Sequence, residues 1–162
     1  MIAQFRSVVL FVQDIAAARH FYEELLGQKV EADFGANVGY VGGLALWDVK
    51  TACENVFQRA PEGEARLGRE NLEVYFEFDD LDTAHEFLLA QGVKIVHPIM
   101  EQPWAQRVLR VYDPDGHVVE LGEPMAAMVR RLAAAGLSNE AINERTMMPI
   151  RFIEGVLAGA VV

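Results

Sequence analysis

Apolar and polar residues alternate along two stretches of this chain, and the second stretch repeats the pattern of the first 66 residues later. The first copy runs from Ser7 to Gly27 and the second from Glu73 to Gly92. Each copy reads as an alternating strand, an acidic residue, a helix with an inward aromatic residue, and a glycine. The identical pairs are Val8 and Val74, Asp14 and Asp80, Ala18 and Ala84, and Phe21 and Phe87. The repeat indicates a duplicated supersecondary unit, which typically creates a cavity where the copies face each other.

The phase of the alternation assigns the two faces of each strand, because successive side chains point to opposite sides of a sheet. The predicted apolar faces consist of Val8, Leu10 and Val12 in the first copy, and of Leu72, Val74, Phe76 and Phe78 in the second. The opposite faces carry Ser7, Val9 and Phe11 in the first copy, and Glu73, Tyr75 and Glu77 in the second. We expect the apolar faces to pack on helices and the mixed faces to line solvent or a cavity.

A helix is predicted after each of these strands. Asp14 caps the first helix and Gly27 ends it, whereas Asp80 or Asp82 begins the second and Gly92 ends it. The residues expected to face inward are Ala17, Phe21 and Leu25 in the first helix, and Ala84, Phe87 and Leu88 in the second.

Three short strands follow each helix, so each half is predicted to be a βαβββ module. The strands are expected at 29–34, 39–42 and 44–49 in the first half, and at 94–98, 107–112 and 117–121 in the second. The tetrapeptide Asp-Pro-Asp-Gly at 113–116 predicts a hairpin turn between the last two strands. The predicted fold class is therefore α+β, with two tandem βαβββ modules.

The predicted domain organisation follows from this pattern. Module one spans 5–50 and module two spans 72–122, joined by a polar linker at 54–71. Together they form one domain over 1–122, and a helical extension occupies 123–162.

The extension is predicted to contain three helices. Pro124 opens the first and Gly136 ends it, Ser138 caps the second, and Pro149 lies in the first turn of the third. This arrangement resembles a helix-turn-helix, so a transcriptional regulator is an alternative hypothesis. The third helix, however, offers only Arg151 as a cation and is otherwise apolar. An apolar stripe of this kind predicts packing against the core or a partner subunit, and we expect a homodimer.

Composition narrows the class of protein. The formal net charge of −10 and the isoelectric point near 4.8 disfavour nucleic acid as a partner. The chain shows neither a secretory leader nor a long apolar run, so we expect no membrane partner and a cytoplasmic location. Cys53 is the single cysteine and is expected to be a packed or surface residue.

Two βαβββ modules, a helix ending FYEELLG, and the segment PWAQRVLRVYDPDGHVVELGEP resemble the glyoxalase, bleomycin-resistance and extradiol-dioxygenase superfamily, also called vicinal oxygen chelate proteins. The resemblance covers about residues 5 to 123. It implies that the modules form an incomplete barrel around a cavity that holds a small organic ligand. In catalytic members, a divalent metal in this cavity chelates adjacent oxygens of the substrate.

The resemblance also implies positions for metal ligands. Where the family usually has a histidine in the first module, this chain has Ser7, and Glu73 stands at the equivalent place in the second module. The glutamate four residues after the turn glycine is present as Glu120. Its counterpart in the first module is expected at Trp47, with Asp48 next to it pointing the other way. Only two oxygen ligands remain where a full set needs about four.

Glu73 and Glu120 are the predicted catalytic residues and the only predicted metal ligands. Two carboxylates hold Mg²⁺ or Mn²⁺ weakly, whereas zinc or nickel normally takes at least three protein ligands. We therefore expect no cofactor, with a divalent metal (Mg, Mn, Ni or Zn) as the alternative. Without metal, the two acids share a proton and one acts as general base, or both bond to Arg107 or Arg110.

The other candidate binding residues are aromatic or basic. Trp47 and Trp104 are expected to form an aromatic wall, and Tyr75 to donate a hydrogen bond to a ligand. Arg110 is expected to pair with an anionic substrate or with Glu77. The expected cavity lining consists of Ser7, Trp47, Glu73, Tyr75, Trp104 and Glu120.

The sequence leaves open whether this protein is an enzyme. The first hypothesis is a small-molecule-binding protein with a depleted metal site. The alternative is a metal-dependent lyase or isomerase, similar to lactoylglutathione lyase, in which a carboxylate removes a proton next to a carbonyl. His97 and His117 flank the strands of the second module and are interpreted as surface or structural residues.

Overall fold

The computed structural model describes residues 4–61 and 67–159 of the 162-residue chain. Contacts within the chain define two compact units. The first comprises the residues up to Leu72 together with Asp113–His117, and the second comprises Glu73–Tyr112 and the residues from Val118 onward. Each unit contains one open four-stranded sheet with helices, which is the predicted α+β class. No helix in the described parts of the chain is long and apolar enough to cross a membrane.

The first unit follows the predicted βαβββ order and adds a helix after the last strand. Its elements are β1 (Val8–Val12), α1 (Ile15–Arg19) running directly into a π-helical segment (His20–Leu25), β2 (Val30–Asp33), β3 (Asn37–Tyr40), β4 (Leu44–Asp48) and α2 (Val49–Phe57). The strand order in the sheet is β1-β4-β3-β2. β1 and β4 are parallel, and the other pairs are antiparallel.

The first helix begins at the predicted cap but faces the core differently from the prediction. The Asp14 side chain accepts hydrogen bonds from the backbone N–H groups of the first turn. The buried residues are Ala18, Phe21 and Tyr22, whereas Ala17 and Leu25 are only partly buried. Ala18, Phe21 and Tyr22 follow the i, i+3, i+4 spacing of one helix face, so the inward face begins one residue after the predicted Ala17.

Helix α2 was not predicted, and it occupies the start of the expected linker. Asp48 caps it by accepting hydrogen bonds from the backbone N–H and the hydroxyl of Thr51, at 2.9 and 2.8 Å. The helix buries Ala52 and Cys53. Part of the predicted linker, at 62–66, lies outside the described residues.

The second unit also contains a βαβββ module, followed by three helices. Its elements are β5 (Glu73–Glu77), α3 (Leu81–Ala90), β6 (Ile95–Glu101), β7 (Arg107–Tyr112), β8 (Val118–Gly122), α4 (Met125–Ala134), α5 (Asn139–Thr146) and α6 (Ile150–Leu157). The strand order is β5-β8-β7-β6, with β5 parallel to β8. The order and pairing repeat those of the first unit, as expected for a duplication.

Helix α3 resolves one alternative and corrects one expectation. Asp80, not Asp82, is the capping residue, and it accepts from the backbone N–H of Thr83 at 3.0 Å. Leu81 is buried, whereas Phe87 is 43 % exposed although it was predicted to face inward. A helix that begins at Leu81 places that residue on the same face as the buried Ala84 and Leu88.

The three C-terminal helices pack into one apolar cluster within the second unit. Pro149 is the capping residue of α6, one position before its predicted place in the first turn. The cluster contains Ala105, Met128, Val129, Leu132, Ile142, Ile153 and Val156, all of them buried. The apolar stripe of α6, the third helix of the extension, therefore packs inside the chain.

The Asp-Pro-Asp-Gly turn is held by its first residue. The Asp113 carboxylate accepts hydrogen bonds from the Tyr22 hydroxyl at 3.0 Å and from the backbone N–H groups of Asp115 and His117 at 3.0 and 2.8 Å. Its Oδ2 also contacts Nδ1 of the His117 ring at 2.9 Å. His117 is thus a structural residue of the turn. Burial raises the pKa of Tyr22 well above its ordinary range, and the charge of Asp113 acts in the same direction.

Replacing Asp113 with alanine should destabilise the protein by about 3 kcal/mol, because three donors lose their acceptor and two of those groups are buried. The measurement is the free energy of unfolding from urea titration. Asp79→Ala, at an exposed position, is the control and should change that free energy by less than about 0.5 kcal/mol. Equal effects of the two substitutions would contradict this account of the turn.

Candidate functional site

Strand register brings four chemically active side chains into one row across the second sheet. Tyr75 of β5 lies opposite Glu120 of β8, Glu120 lies opposite Arg110 of β7, and Arg110 lies opposite His97 of β6. Since directly paired residues of neighbouring strands share a face, all four side chains stand on the same side of the sheet. Glu73, two residues before Tyr75, belongs to this face as well.

Arg110 is the centre of this row. Its Nε donates a hydrogen bond to Glu73 Oε2 at 2.7 Å, and its Nη2 forms an ion pair with Glu120 Oε2. Its Nη1 lies 3.3 Å from Nε2 of His97. Arg110 therefore bonds to both predicted acids, which was one of the alternatives, and it does not pair with Glu77.

Glu120 is the most deeply buried acid of the row, with 5 % of its surface exposed. Its Oε2 touches Arg110 but has no well-aligned hydrogen bond, so the contact is ionic. Burial raises the pKa of Glu120 above its ordinary value. The nearby charge of Glu73 also raises this pKa, whereas the positive charge of Arg110 opposes the rise.

The donor set of this row does not fit a divalent metal ion. Glu73 and Glu120 are both engaged by the Arg110 guanidinium, which places a positive charge between the two carboxylates. Within residues 4–61 and 67–159, no group of three or more histidine, cysteine, aspartate and glutamate residues is arranged to hold a metal. A cation would have to displace a guanidinium that Glu73, Glu120 and His97 all contact.

Tyr75 is connected to Trp104 through Gln106, a residue that sequence reasoning missed. The Trp104 indole N–H donates to Oε1 of Gln106 at 3.0 Å. Nε2 of Gln106 donates to the Tyr75 hydroxyl oxygen at 3.1 Å and to the backbone carbonyl of Glu123 at 2.9 Å. The indole only donates and the carbonyl only accepts, so the orientation of the Gln106 amide is determined at both ends.

This chain of hydrogen bonds decides the role of the Tyr75 hydroxyl. Its oxygen accepts a hydrogen bond from Gln106. Its proton points towards Glu77 Oε1, at a long oxygen–oxygen distance of 3.5 Å. Burial raises the pKa of Tyr75, so the hydroxyl keeps its proton at neutral pH. Tyr75 is 43 % exposed and Trp104 is 41 % exposed. The pair offers aromatic surface and one hydrogen-bond donor.

Gly122 of β8 leaves space for the side chains of Tyr75 and Gln106. A Cβ atom at this position would lie 2.6 Å from Cε2 of Tyr75 and 2.8 Å from Nε2 of Gln106, closer than real contacts allow. The absence of a side chain on β8 therefore permits Tyr75 and Gln106 to pack against the strand.

The remaining two predicted residues belong to the first unit. Ser7 is exposed and precedes β1. Trp47 is half-buried on β4, opposite Phe11, and their rings meet edge to face with centroids 6.3 Å apart. Phe11 has a similar contact with Phe57, at 6.4 Å. The first unit thus carries a cluster of aromatic residues on β1, β4 and α2.

Strand register corrects the expected counterpart of Glu120. Residue by residue along the parallel strand pairs, the position equivalent to Glu120 is Ala45, not Trp47. The hairpin before β4, at 41–43, is two residues shorter than the one before β8, at 113–117, which moves the equivalent position by two. The side chain of Asp48 is engaged as the cap of α2.

His97 was interpreted as a surface or structural residue, but its ring lies beside Arg110 in the row. Its other ring nitrogen, Nδ1, is 2.8 Å from the carbonyl oxygen of Pro98. The register of β6 is irregular on both sides of His97, so simple alternation could not assign its face. Gln106 left a weaker signal, a polar residue directly after the candidate Trp104.

Comparison with known proteins agrees with this fold. A family model described as a glyoxalase-like domain matches residues 5–126. A protein of unknown function from Agrobacterium tumefaciens is 36 % identical over 77 % of this chain and 97 % of its own, with a TM-score of 0.70. A glyoxalase/bleomycin resistance protein/dioxygenase from Nocardioides is 26 % identical over 76 % and 84 %, with a TM-score of 0.59. A lactoylglutathione lyase from Agrobacterium tumefaciens is 22 % identical over 76 % and 96 %, with a TM-score of 0.58. Comparison with curated proteins gives no match.

The two duplicated modules and the matched residues define the class as vicinal oxygen chelate proteins. This chain belongs to the glyoxalase-like domain family.

Gly122→Ala should destabilise the protein by about 1–3 kcal/mol, because the added Cβ must push Tyr75 and Gln106 away from β8. The free energy of unfolding and the near-ultraviolet circular dichroism of the aromatic residues report this change. Gly39→Ala is the matched control, since a Cβ on that strand glycine meets no atom closer than 4.0 Å. If both variants behave alike, the close packing at Gly122 is not what limits the position.

Glu120→Gln should alter the pH dependence of stability. Since the pKa of Glu120 is raised on folding, the folded protein binds a proton there at a pH where the unfolded chain does not. This group therefore makes the free energy of unfolding rise as the pH falls from neutral towards the ordinary pKa of 4.5. The variant should lack that rise, as measured by denaturant titration across this range. Parallel curves for the two proteins would contradict the assignment.

Proposed function

We propose that this protein binds a small, uncharged organic molecule without a metal ion, on the face of the second sheet that carries Tyr75, Trp104 and Glu120. The observation that supports this proposal most directly is the position of Arg110, bonded to both Glu73 and Glu120. A guanidinium in that position supplies the positive charge that the family's catalytic members take from a metal.

The charge balance of the row favours an uncharged ligand. Arg110 already faces two acids, so it has little remaining attraction for an anion. A cation would meet the guanidinium itself. The partly exposed aromatic surface of Trp104 and Tyr75, together with the Tyr75 hydroxyl, suits a flat apolar molecule with an acceptor group.

A metal-dependent lyase or isomerase has less support. Glu120 has the raised pKa of a potential general base, but its carboxylate is paired with Arg110 and deeply buried. The lactoylglutathione lyase from Agrobacterium tumefaciens shares the fold at 22 % identity. A similarity at this level supports the fold and does not support a shared reaction. The homodimer and the cytoplasmic location stay predictions.

The proposal is tested by thermal unfolding in the presence of a set of flat, uncharged carbonyl compounds. Compounds that bind should raise the melting temperature equally with EDTA and with added Mn²⁺, Ni²⁺ or Zn²⁺, because the ligand site uses no metal. Tyr75→Phe should weaken this shift, since the ligand loses its hydrogen-bond donor. Arg107→Gln is the control, because Arg107 pairs with Asp82 on the helix side of the same sheet and should leave the shift unchanged.

Two outcomes would overturn the proposal. Near-stoichiometric metal in protein purified without chelators, lost in Glu120→Gln, would support the metal-dependent enzyme instead. A set of such compounds in which none raises the melting temperature would contradict the proposed ligand class.

A further inference from the structure

The turn that presents Trp104 is held in a strained conformation. It joins β6 to β7, and its ends are closed by a hydrogen bond from the Gln102 N–H to the Gln106 carbonyl at 2.8 Å. Ala105 within it has a φ of 69°, in the left-handed region that residues other than glycine rarely adopt. Such strain persists only where the surroundings hold it.

The C-terminal extension supplies those surroundings. Ala105 is fully buried in the apolar cluster that the three helices form after the family domain. Its side chain packs among buried residues of α4, α5 and α6, including Val129, Ile142 and Ile153. The strained residue of the turn is therefore part of the core of the extension.

Arg131 of α4 connects the extension to the turn by hydrogen bonds. Its Nη2 donates to the Ala105 carbonyl at 2.6 Å, and its Nε and Nη2 donate to the two carboxylate oxygens of Glu123 at 2.8 and 2.7 Å. Glu123 is buried and its carboxylate also accepts from the Arg107 N–H at 3.3 Å. Its backbone carbonyl accepts from Gln106. One guanidinium thus bonds to Ala105, the residue before Gln106, and to Glu123, whose backbone carbonyl accepts from the Gln106 side chain.

We propose that Arg131 is a positioning residue, through which the C-terminal extension holds Gln106 and thereby sets the direction in which the Tyr75 hydroxyl donates to a ligand. The contacts run from Arg131 to Ala105 and Glu123, and from these to Gln106. Gln106 then accepts from the Trp104 indole and donates to Tyr75. The contact between Tyr75 and a ligand rests on the proposed function, whereas the ordering of the turn by the extension is independent of it.

This arrangement specifies the ligand further. The Tyr75 oxygen accepts from Gln106, whereas its proton has only a long contact of 3.5 Å with Glu77 Oε1, so the hydroxyl is placed to donate to the ligand. The indole N–H of Trp104 is used by Gln106, so the ring offers a face and no donor. The matching ligand carries an acceptor oxygen attached to a flat apolar group.

The test uses the Trp104 indole N–H, which reports its hydrogen bond to Gln106 directly. The full chain is labelled with ¹⁵N-tryptophan, and Trp47→Phe assigns the two indole signals by leaving only that of Trp104. In Arg131→Met, the indole N–H resonance of Trp104 should move upfield and its exchange with water should accelerate. Trp104 fluorescence in the Trp47→Phe background should shift to longer wavelength and become easier to quench with acrylamide.

Arg145→Met is the matched control. Arg145 pairs with Glu101, as Arg131 also does, but it touches neither Ala105 nor Glu123. This control should leave the Trp104 signals unchanged, so a general loss of charge near the turn is distinguished from loss of positioning.

An unchanged Trp104 resonance in folded Arg131→Met would overturn the proposal. If that variant fails to fold, Arg131→Lys keeps the charge but replaces the two guanidinium nitrogens that bond to Ala105 and Glu123 with a single ammonium, so it loses the planar two-nitrogen geometry. A native Trp104 resonance in Arg131→Lys would then overturn the proposal, and a shifted resonance would support it. These measurements need no ligand, so they can succeed where the ligand proposal fails, and the reverse also holds.

Discussion

A carboxylate buried in a sheet needs a positive charge beside it, and the pairing of Glu120 with Arg110 meets this need in the second unit. The rest of the row is arranged around that pair. Glu73 takes the guanidinium Nε and His97 lies against its other side, so the arginine is held from three directions. The charge distribution of the face therefore depends on one fixed guanidinium.

The two duplicated units have the same arrangement of strands but different polar side chains. Both units share strand order, pairing and an aspartate-capped helix after the first strand. The position of Glu120 is occupied by Ala45 in the first unit, and that of Glu73 is occupied by Ser7. The polar groups of the proposed ligand site therefore concentrate in the second unit, whose three added helices also pack around the Trp104 turn.

Features that depend on local chemistry were predictable from the sequence, and those that depend on counting across irregular backbone were not. The cap at Asp14 and the turn at 113–116 were found because each is encoded by a few adjacent residues. The inward face of the first helix was misassigned at Ala17, because the three consecutive alanines at 16–18 offer no difference in size or polarity from which to choose the buried one. His97 was misplaced because the register of β6 shifts on both sides of it. The choice among the predicted partners of Arg110 required knowledge of how the strands pair.

Gly122 determines which residues form the surface of this face. The equivalent strand position in the first unit is Trp47, so the two units fill the same space in opposite ways. In the first unit the strand's own side chain fills it, whereas in the second Tyr75 and Gln106 reach over from a neighbouring strand and a turn. In the proposed function, the surface that a ligand meets at this point is set by those two residues, whereas β8 contributes Glu120 to the buried ion pair with Arg110.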